Sequence, residues 1–273
     1  MLFTATRLSS VVIFTAFLLL VIAGCSDRSC PVADVDKVDH SIFDAVLGAV
    51  VAPNGLVDYQ LLSSDYASSL DKYLSYIAGI DASSLPRRSG RLAFWLNAYN
   101  ALCLRQVIDM YPSDSVYFDD PLFFDRHRYF ISGSRRSLNE IRDDILRCRF
   151  NDPRIFSALC FAARSGPPLR PEAYDPSSLN HQLDNQCRLW IATESLNHLD
   201  ISNNCLYLSA IFKNFAQDFD RLYDNPSGFY LKYTPDAAYR RHLQLATTHS
   251  SSVAAVNAPS IRYLKWDWSL NSR

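Results

Sequence analysis

The sequence predicts an α+β fold: a mostly helical single domain with a few short antiparallel strands and hairpins. Three observations carry that expectation. Residues 91–111 are apolar on nearly every helical face, the pattern of a helix buried in a core. Apolar residues recur at helical spacing through the rest of the first half. Further along, short apolar segments are broken by Ser-Gly-Ser and Ser-Asn-Asn, which read as hairpin turns. The 273 residues are 48% hydrophobic and 20% charged. That is enough apolar surface to offset ordering entropy, and it excludes a disordered, collagenous or coiled-coil chain. A formal net charge of −1 gives no overall attraction to nucleic acid or acidic membranes.

The elements follow in order. Ser41 is placed to cap a helix through Phe43, Val46 and Val50, which stops at Pro53-Asn54-Gly55. Leu70, Leu74 and Ile77 mark a second helix, and Pro112 ends the apolar third. Arg128–Ile131 and Arg135-Arg136 flank the Ser132-Gly133-Ser134 turn. Ser137 with Glu140 forms a capping box that starts another helix. Ile155–Ala163 fits a strand or a buried helix equally well. Asp175-Pro176 opens a helix with Leu179, Leu183 and Trp190 on one side. His198–Ile201 and Cys205–Leu208 make a second hairpin, Ser209 caps the next helix, and Ile261–Lys265 is a closing strand. With no repeat and no linker after Ser41, one domain spans 41–271.

The first 24 residues read as an export signal. Arg7 is their only charge, and Val11–Ala23 is a 13-residue apolar run, too short to span a bilayer as a helix. Ile22-Ala23-Gly24-Cys25 resembles the bacterial lipobox, which implies lipidation of Cys25, a polar tether over 25–40 and attachment to the membrane of the cell envelope. Ser26 after that cysteine implies sorting to the outer membrane in a two-membrane cell. Export lets disulfides persist among Cys30, Cys103, Cys148, Cys160, Cys187 and Cys205, and the sequence leaves paired and free states open. No Cys-x-x-Cys or Cys/His spacing suits zinc, so neither a metal nor a cofactor is expected.

Charge is unevenly spread, with a net of −6 over residues 31–81 and +6 over 126–170, where ten Arg face four acids. Two readings stay open. The blocks are solvated or mutually attracting faces, or the Arg-rich stretch receives an anionic ligand, for which guanidinium forks are suited. Aromatics stand beside Arg at Tyr129 and Phe150, but spacing of this kind is too common to indicate nucleic acid, which is not an expected partner.

Several blocks stand in a characteristic order: Gly55-Leu56-Val57-Asp58-Tyr59, Phe94-Trp95-Leu96-Asn97-Ala98-Tyr99-Asn100, Asp152-Pro153-Arg154-Ile155, Pro167-Pro168-Leu169, Leu208-Ser209-Ala210-Ile211-Phe212 and Trp266-Asp267-Trp268. Over residues 43–271 the chain resembles the domain of unknown function 547 family. The family's central motif, Asp-Pro-Arg-Ile-His-Phe-Ala-Leu-x-Cys-Ala-Ser-x-Ser-Cys-Pro, implies thiol chemistry assisted by an imidazole. This chain departs there. Phe156 stands at the His, Phe161 at the first Cys, Ala163 at the Ser and Gly166 at the second Cys. Upstream, the family's Ile-Glu-His is Ile141-Arg142-Asp143. Phenylalanine has no lone pair and no titratable proton, so it cannot act as base or nucleophile.

The expectation is therefore an envelope lipoprotein that binds a partner or serves as a scaffold without catalysis. The alternative is a thiol-type hydrolase or acyl-transferase rewired through Cys160 with His181 or His198. Asn97, Asn100, Arg154, Arg164, Ser165, Asp218 and Asp267 are the candidate pocket. Asn97 and Asn100 share a helical face in an apolar segment, so they either pin backbone or line a polar pocket. Asp267 is a candidate for a buried ion pair with Arg154 or Arg164. An anionic small ligand or an envelope protein is the expected partner.

Overall fold

Ser41–Val50 forms the first helix and buries Phe43, Val46, Leu47 and Val50 along one face, as three- and four-residue spacing dictates. A computed structural model describes residues 38–120, 122–248 and 259–273; the leader, Cys25 and Cys30 lie outside them. Residues 35–273 form one unit. Its packing starts ahead of Ser41, since Val38 and His40 are buried and the His40 ring sits 2.7 Å from the Tyr73 hydroxyl. His40, not Ser41, occupies the N-cap of the first helix. Ser41 is already inside it, its N–H donating to Asp39 Oδ1 at 2.9 Å.

The chain turns at Gly55, whose φ of +80° is open to glycine at little cost. Asp58 then caps Leu61 N at 2.8 Å, and a π-helical turn at Leu62–Tyr66 leads into Ala67–Ala78. Arg88–Met110 is the central helix. Every residue from Leu92 to Leu104 is buried, and the helix Ala67–Ala78 and the segment Ile141–Phe150 pack against it.

Strands β1 (Tyr129–Ile131) and β2 (Ser134–Arg136) pair antiparallel. Ser132 and Gly133 both take positive φ, as a two-residue hairpin loop requires. The Ser137–Glu140 capping box forms, with Ser137 N donating to Glu140 Oε2 at 2.8 Å and Glu140 N to Ser137 Oγ at 3.2 Å. It opens onto a π-helix, Ile141–Phe150. The apolar run after Ile155 is neither one strand nor one helix. A single helical turn, Ile155–Ala158, gives way to irregular backbone that crosses the core. Asp175 does not open a helix. It closes a turn by accepting from Ser177 N at 2.9 Å, and the helix runs over Leu179–Ala192.

Strands β3 (His198–Asp200) and β4 (Cys205–Leu208) form the second hairpin. Strand β5 (Ser260–Tyr263) joins β4 in parallel, a pairing that local sequence does not reveal. Helices Ala210–Asn214, Ala216–Tyr223, Pro226–Tyr233 and Ala237–Thr248 lie between those two strands in sequence. Beyond β5 the last residues run back along the domain, and Ser272 bridges to Val57.

Candidate functional site

The irregular stretch from Leu159 to Ser178 runs through the core, so its backbone polar groups need partners. Side-chain amides supply them. Asn97 Nδ2 donates to Tyr174 O and Asn97 Oδ1 accepts from Tyr174 N, both at 2.8 Å. Asn100 Nδ2 donates to Ala158 O at 2.8 Å and its Oδ1 accepts from Cys160 N at 2.9 Å. One turn further along, the Cys103 thiol donates to Cys160 O at 3.4 Å, and Gln106 Nε2 donates to Phe123 O. Residues 97, 100, 103 and 106 thus form a polar row, three apart, down one face of the central helix. From the other side, Gln182 holds Ala173 O and Asp175 N, and Gln186 holds Pro168 O. Sequence reasoning found the two asparagines and missed the three glutamines, although the three-residue spacing from Asn100 through Gln106 was a usable signal. Asn97 and Asn100 pin backbone and are sealed in the core.

The candidate pocket residues separate into distinct places. Arg154 lies in a polar cluster with Asp152 at 2.7 Å and Asp184 at 3.0 Å, and hydrogen bonds to Asp152 foremost hold its guanidinium above its ordinary range. Asp218 receives Arg147 Nε at 2.9 Å and Nη2 at 2.6 Å. Arg164, Ser165 and Asp267 do share a groove. The buried ion pair expected for Asp267 is absent, because its carboxylate is exposed and turns to Ser269 N at 2.8 Å. Bonding to Ser269, hydroxyl and then N–H, keeps that carboxyl below its usual range, with a smaller contribution from the Arg164 charge.

The groove is built by pairing the 164–165 loop with the C-terminal segment. Arg164 N donates to Ser269 O at 2.7 Å and Ser165 N to Asp267 O at 3.3 Å; Asp267 N returns a bond to Ser165 Oγ at 2.8 Å. A cleft of about 420 Å³ is lined by Arg164, Ser165, Ser209, Lys265, Trp266 and Asp267. Arg164 also walls two adjoining clefts, of about 230 and 410 Å³, and its Nη2 ties down Ser272 O at 2.7 Å. The Trp266 indole N–H is buried without an acceptor, a donor that a buried group normally satisfies.

The positions at which thiol chemistry would be expected are closed. Phe156 is fully buried, stacked on Phe215 at 4.4 Å and tilted against Phe219 at 5.5 Å. Phe161 is buried edge-on to Trp266 at 5.8 Å. Residues 142, 143 and 156 converge in space. Arg142 and Arg147, five apart, share a face because the segment is π-helical. Both guanidiniums lie over Phe215, at 5.2 and 4.7 Å, and Arg147 stands 5.9 Å from the Phe156 ring. Asp143 bridges them at 2.8 and 2.9 Å. Burial opposes its ionisation, but Arg142 and then Arg147 outweigh that and hold its carboxyl below the usual range.

Cys160 is 1% exposed, sealed beside Cys103 and Tyr59. Bonding from the Cys103 thiol draws the Cys160 thiol down, while burial pushes the Cys103 thiol well up. Among the described residues no histidine ring nitrogen is bonded to Cys160. His181 faces Asn185 at the surface, and His198 Nδ1 sits 3.0 Å from Glu194 O. Cys103, Cys148, Cys160, Cys187 and Cys205 are free thiols, and of these only Cys148 is exposed. Among the described residues no group of three or more His, Cys, Asp or Glu is arranged to hold a metal, and no helix is long and apolar enough to cross a membrane.

The family model described as "Protein of unknown function, DUF547" matches residues 82–191, from the turn before the central helix to the end of the Leu179–Ala192 helix. No curated protein and no solved structure matches the chain.

Proposed function

This chain belongs to the DUF547 family of proteins of unknown function, and from that premise we propose that it is an envelope lipoprotein that binds rather than catalyses. The observation that carries the reading is the pair of buried rings, Phe156 and Phe161, at the positions where the family resemblance calls for imidazole and thiol. A general base must offer a lone pair within hydrogen-bond reach of its proton, and neither ring does. The binding surface is the groove at Arg164. Arg164 and Lys265 outnumber Asp267 there, and serine hydroxyls and the unpartnered Trp266 N–H add donors, so the groove suits an anionic ligand or an acidic patch on an envelope protein. The lipobox-like Ile22-Ala23-Gly24-Cys25 supports a Cys25 anchor, which needs more than one acyl chain to hold firmly.

Iodoacetamide labelling of the native, reduced full chain near neutral pH, read residue by residue by mass spectrometry, tests the reading. Cys148 is expected to react promptly and Cys160 only after unfolding. Prompt native labelling of Cys160 would show an accessible thiolate and favour a thiol hydrolase or acyl-transferase instead. For the anchor, growth with a palmitate analogue is expected to label the wild type and not Cys25→Ser; an unlabelled wild type removes it.

A further inference from the structure

Six of the ten arginines between 126 and 170 are matched to carboxylates: Arg126, Arg128, Arg142, Arg147, Arg154 and Arg170. Arg135, Arg136, Arg149 and Arg164 have no such partner among the described residues. The surplus is not scattered. Arg136, at the end of β2, and Arg149, near the end of the π-helix, meet Arg88 and Arg91 from the first turn of the central helix in one cleft of about 450 Å³. That site lies outside the Arg164 groove and shares no lining residue with it.

Two of the four guanidiniums, those of Arg88 and Arg91, are held in place without being neutralised. Arg88 donates to the carbonyls of Arg149, at 3.1 Å, and Phe150, and lies 5.1 Å over the Phe150 ring. Arg91 Nη1 donates to Leu85 O at 2.5 Å and Pro86 O at 3.0 Å. Carbonyl oxygens orient a guanidinium but bring no net charge to cancel it. Arg136 Nε is buried with no acceptor, a state that costs free energy unless something accepts from it. Glu140, which acts on Arg136 through space, is committed to Arg128 at 2.7 Å. The one carboxylate in the wall, Asp81, is occupied by the Ser83 hydroxyl at 2.7 Å and N–H at 2.9 Å. Ser132 Oγ, accepting from Ala82 N at 2.9 Å, ties the hairpin turn to that same wall, so the cleft is braced.

The geometry points to a binding site for a diphosphate group in the cleft formed by Arg88, Arg91, Arg136 and Arg149. Four guanidiniums against Asp81 leave a net charge of +3, which a single carboxylate cannot balance and a diphosphate near neutral pH does. Phosphoryl oxygens also accept the paired N–H bonds that guanidinium forks present. The volume lies within the ordinary range for a small-ligand site.

Isothermal titration of the full chain in detergent micelles, with inorganic pyrophosphate as the probe, tests this. Arg136→Gln and Arg149→Gln are each expected to weaken binding by about tenfold or more, as loss of a charged hydrogen bond implies. Arg135→Gln removes the same charge from the neighbouring exposed position and is expected to change it less than about twofold. The ligand-free melting temperature reports folding; if Arg136→Gln fails to fold, Arg149→Gln carries the comparison, because that exposed side chain has no partner to lose. No pyrophosphate binding, an equal loss in Arg135→Gln, or citrate binding as tightly as pyrophosphate overturns the assignment. Competition by a lipid diphosphate or by a nucleoside diphosphate separates a membrane-borne from a soluble source, and displacement by either supports the site. Failure here leaves the native labelling of Cys160 unaffected, so the two proposals fall separately.

Discussion

Phe156→His would place an imidazole where the family resemblance expects one, in surroundings built for a hydrocarbon ring. Phe156 is fully buried between Phe215 at 4.4 Å and Phe219 at 5.5 Å. Weakening two ring contacts costs about 0.5–1.5 kcal/mol each. Leaving an imidazole N–H or ring nitrogen without a partner adds about 1–3 kcal/mol. A loss of about 2–6 kcal/mol is expected near pH 8, where the imidazole is neutral. The cost grows in acid. Burial and the Arg147 guanidinium, 5.9 Å from this ring, both disfavour the imidazolium and depress the folded-state pKa below the unfolded value of about 6.5. The unfolded chain then binds the extra proton, so the variant loses further stability as pH falls through about 6.5. Urea denaturation of wild type and variant at pH 8 and pH 5.5 measures both effects. A cost under about 1 kcal/mol with no pH dependence would mean that the site accepts a hydrated or partnered imidazole, and the argument for a sealed, inert centre would fail.

Three further outcomes follow from the same structure. Asn100→Ala strands Ala158 O and Cys160 N and is expected to cost about 2–5 kcal/mol in urea denaturation; a cost below 1 kcal/mol would show that water replaces the amide. Gly55→Ala combines a φ of +80° with a Cβ that would run into Pro168, so a loss of about 3 kcal/mol or a failure to fold is expected. Asp143→Asn, at a carboxylate that is 35% exposed, is expected to cost only about 1 kcal/mol at neutral pH after solvent screening. Because the folded pKa of Asp143 is lowered, the wild type holds that contribution above about pH 4 and loses it as pH falls through the folded value. Melts at pH 7 and pH 3 should therefore differ less in the variant than in the wild type.

Several local features were legible in the sequence because their partners lie a few residues away, although Ser41 does not cap the first helix and Asp175 closes a turn instead of opening a helix. The Ser137–Glu140 box, the Ser132-Gly133 turn and the apolar central helix each depend on neighbours within one or two turns. Long-range partners were not legible. Asp267 lies close to Arg164 in the folded chain, but the preference of its carboxylate for Ser269 N depends on how the C-terminal segment pairs with the 164–165 loop. The parallel β4–β5 pairing is equally non-local, since alternation within a strand does not specify which strand it joins. The cleft at Arg136 escaped notice for a related reason. The sequence showed an excess of arginine, but only the fold separates the six that meet carboxylates from those that do not.

The changes at 142, 143 and 156 make physical sense only together. Arg147 needs an acceptor and a ring, and finds Asp143 and Asp218 for the first and Phe215 and Phe156 for the second. With a histidine at 143 the bridge between Arg142 and Arg147 would be lost, and two cations would stand on one face of the π-helix with a third able to form between them. With a histidine at 156, the ring beneath Arg147 would itself be liable to protonation against a cation. The three residues meet around Arg147 and Phe215, so substitutions at them are expected to be non-additive. Exchanging any one alone therefore meets opposition from its neighbours. A return to imidazole chemistry would need the arginines on the π-helix to change along with the ring.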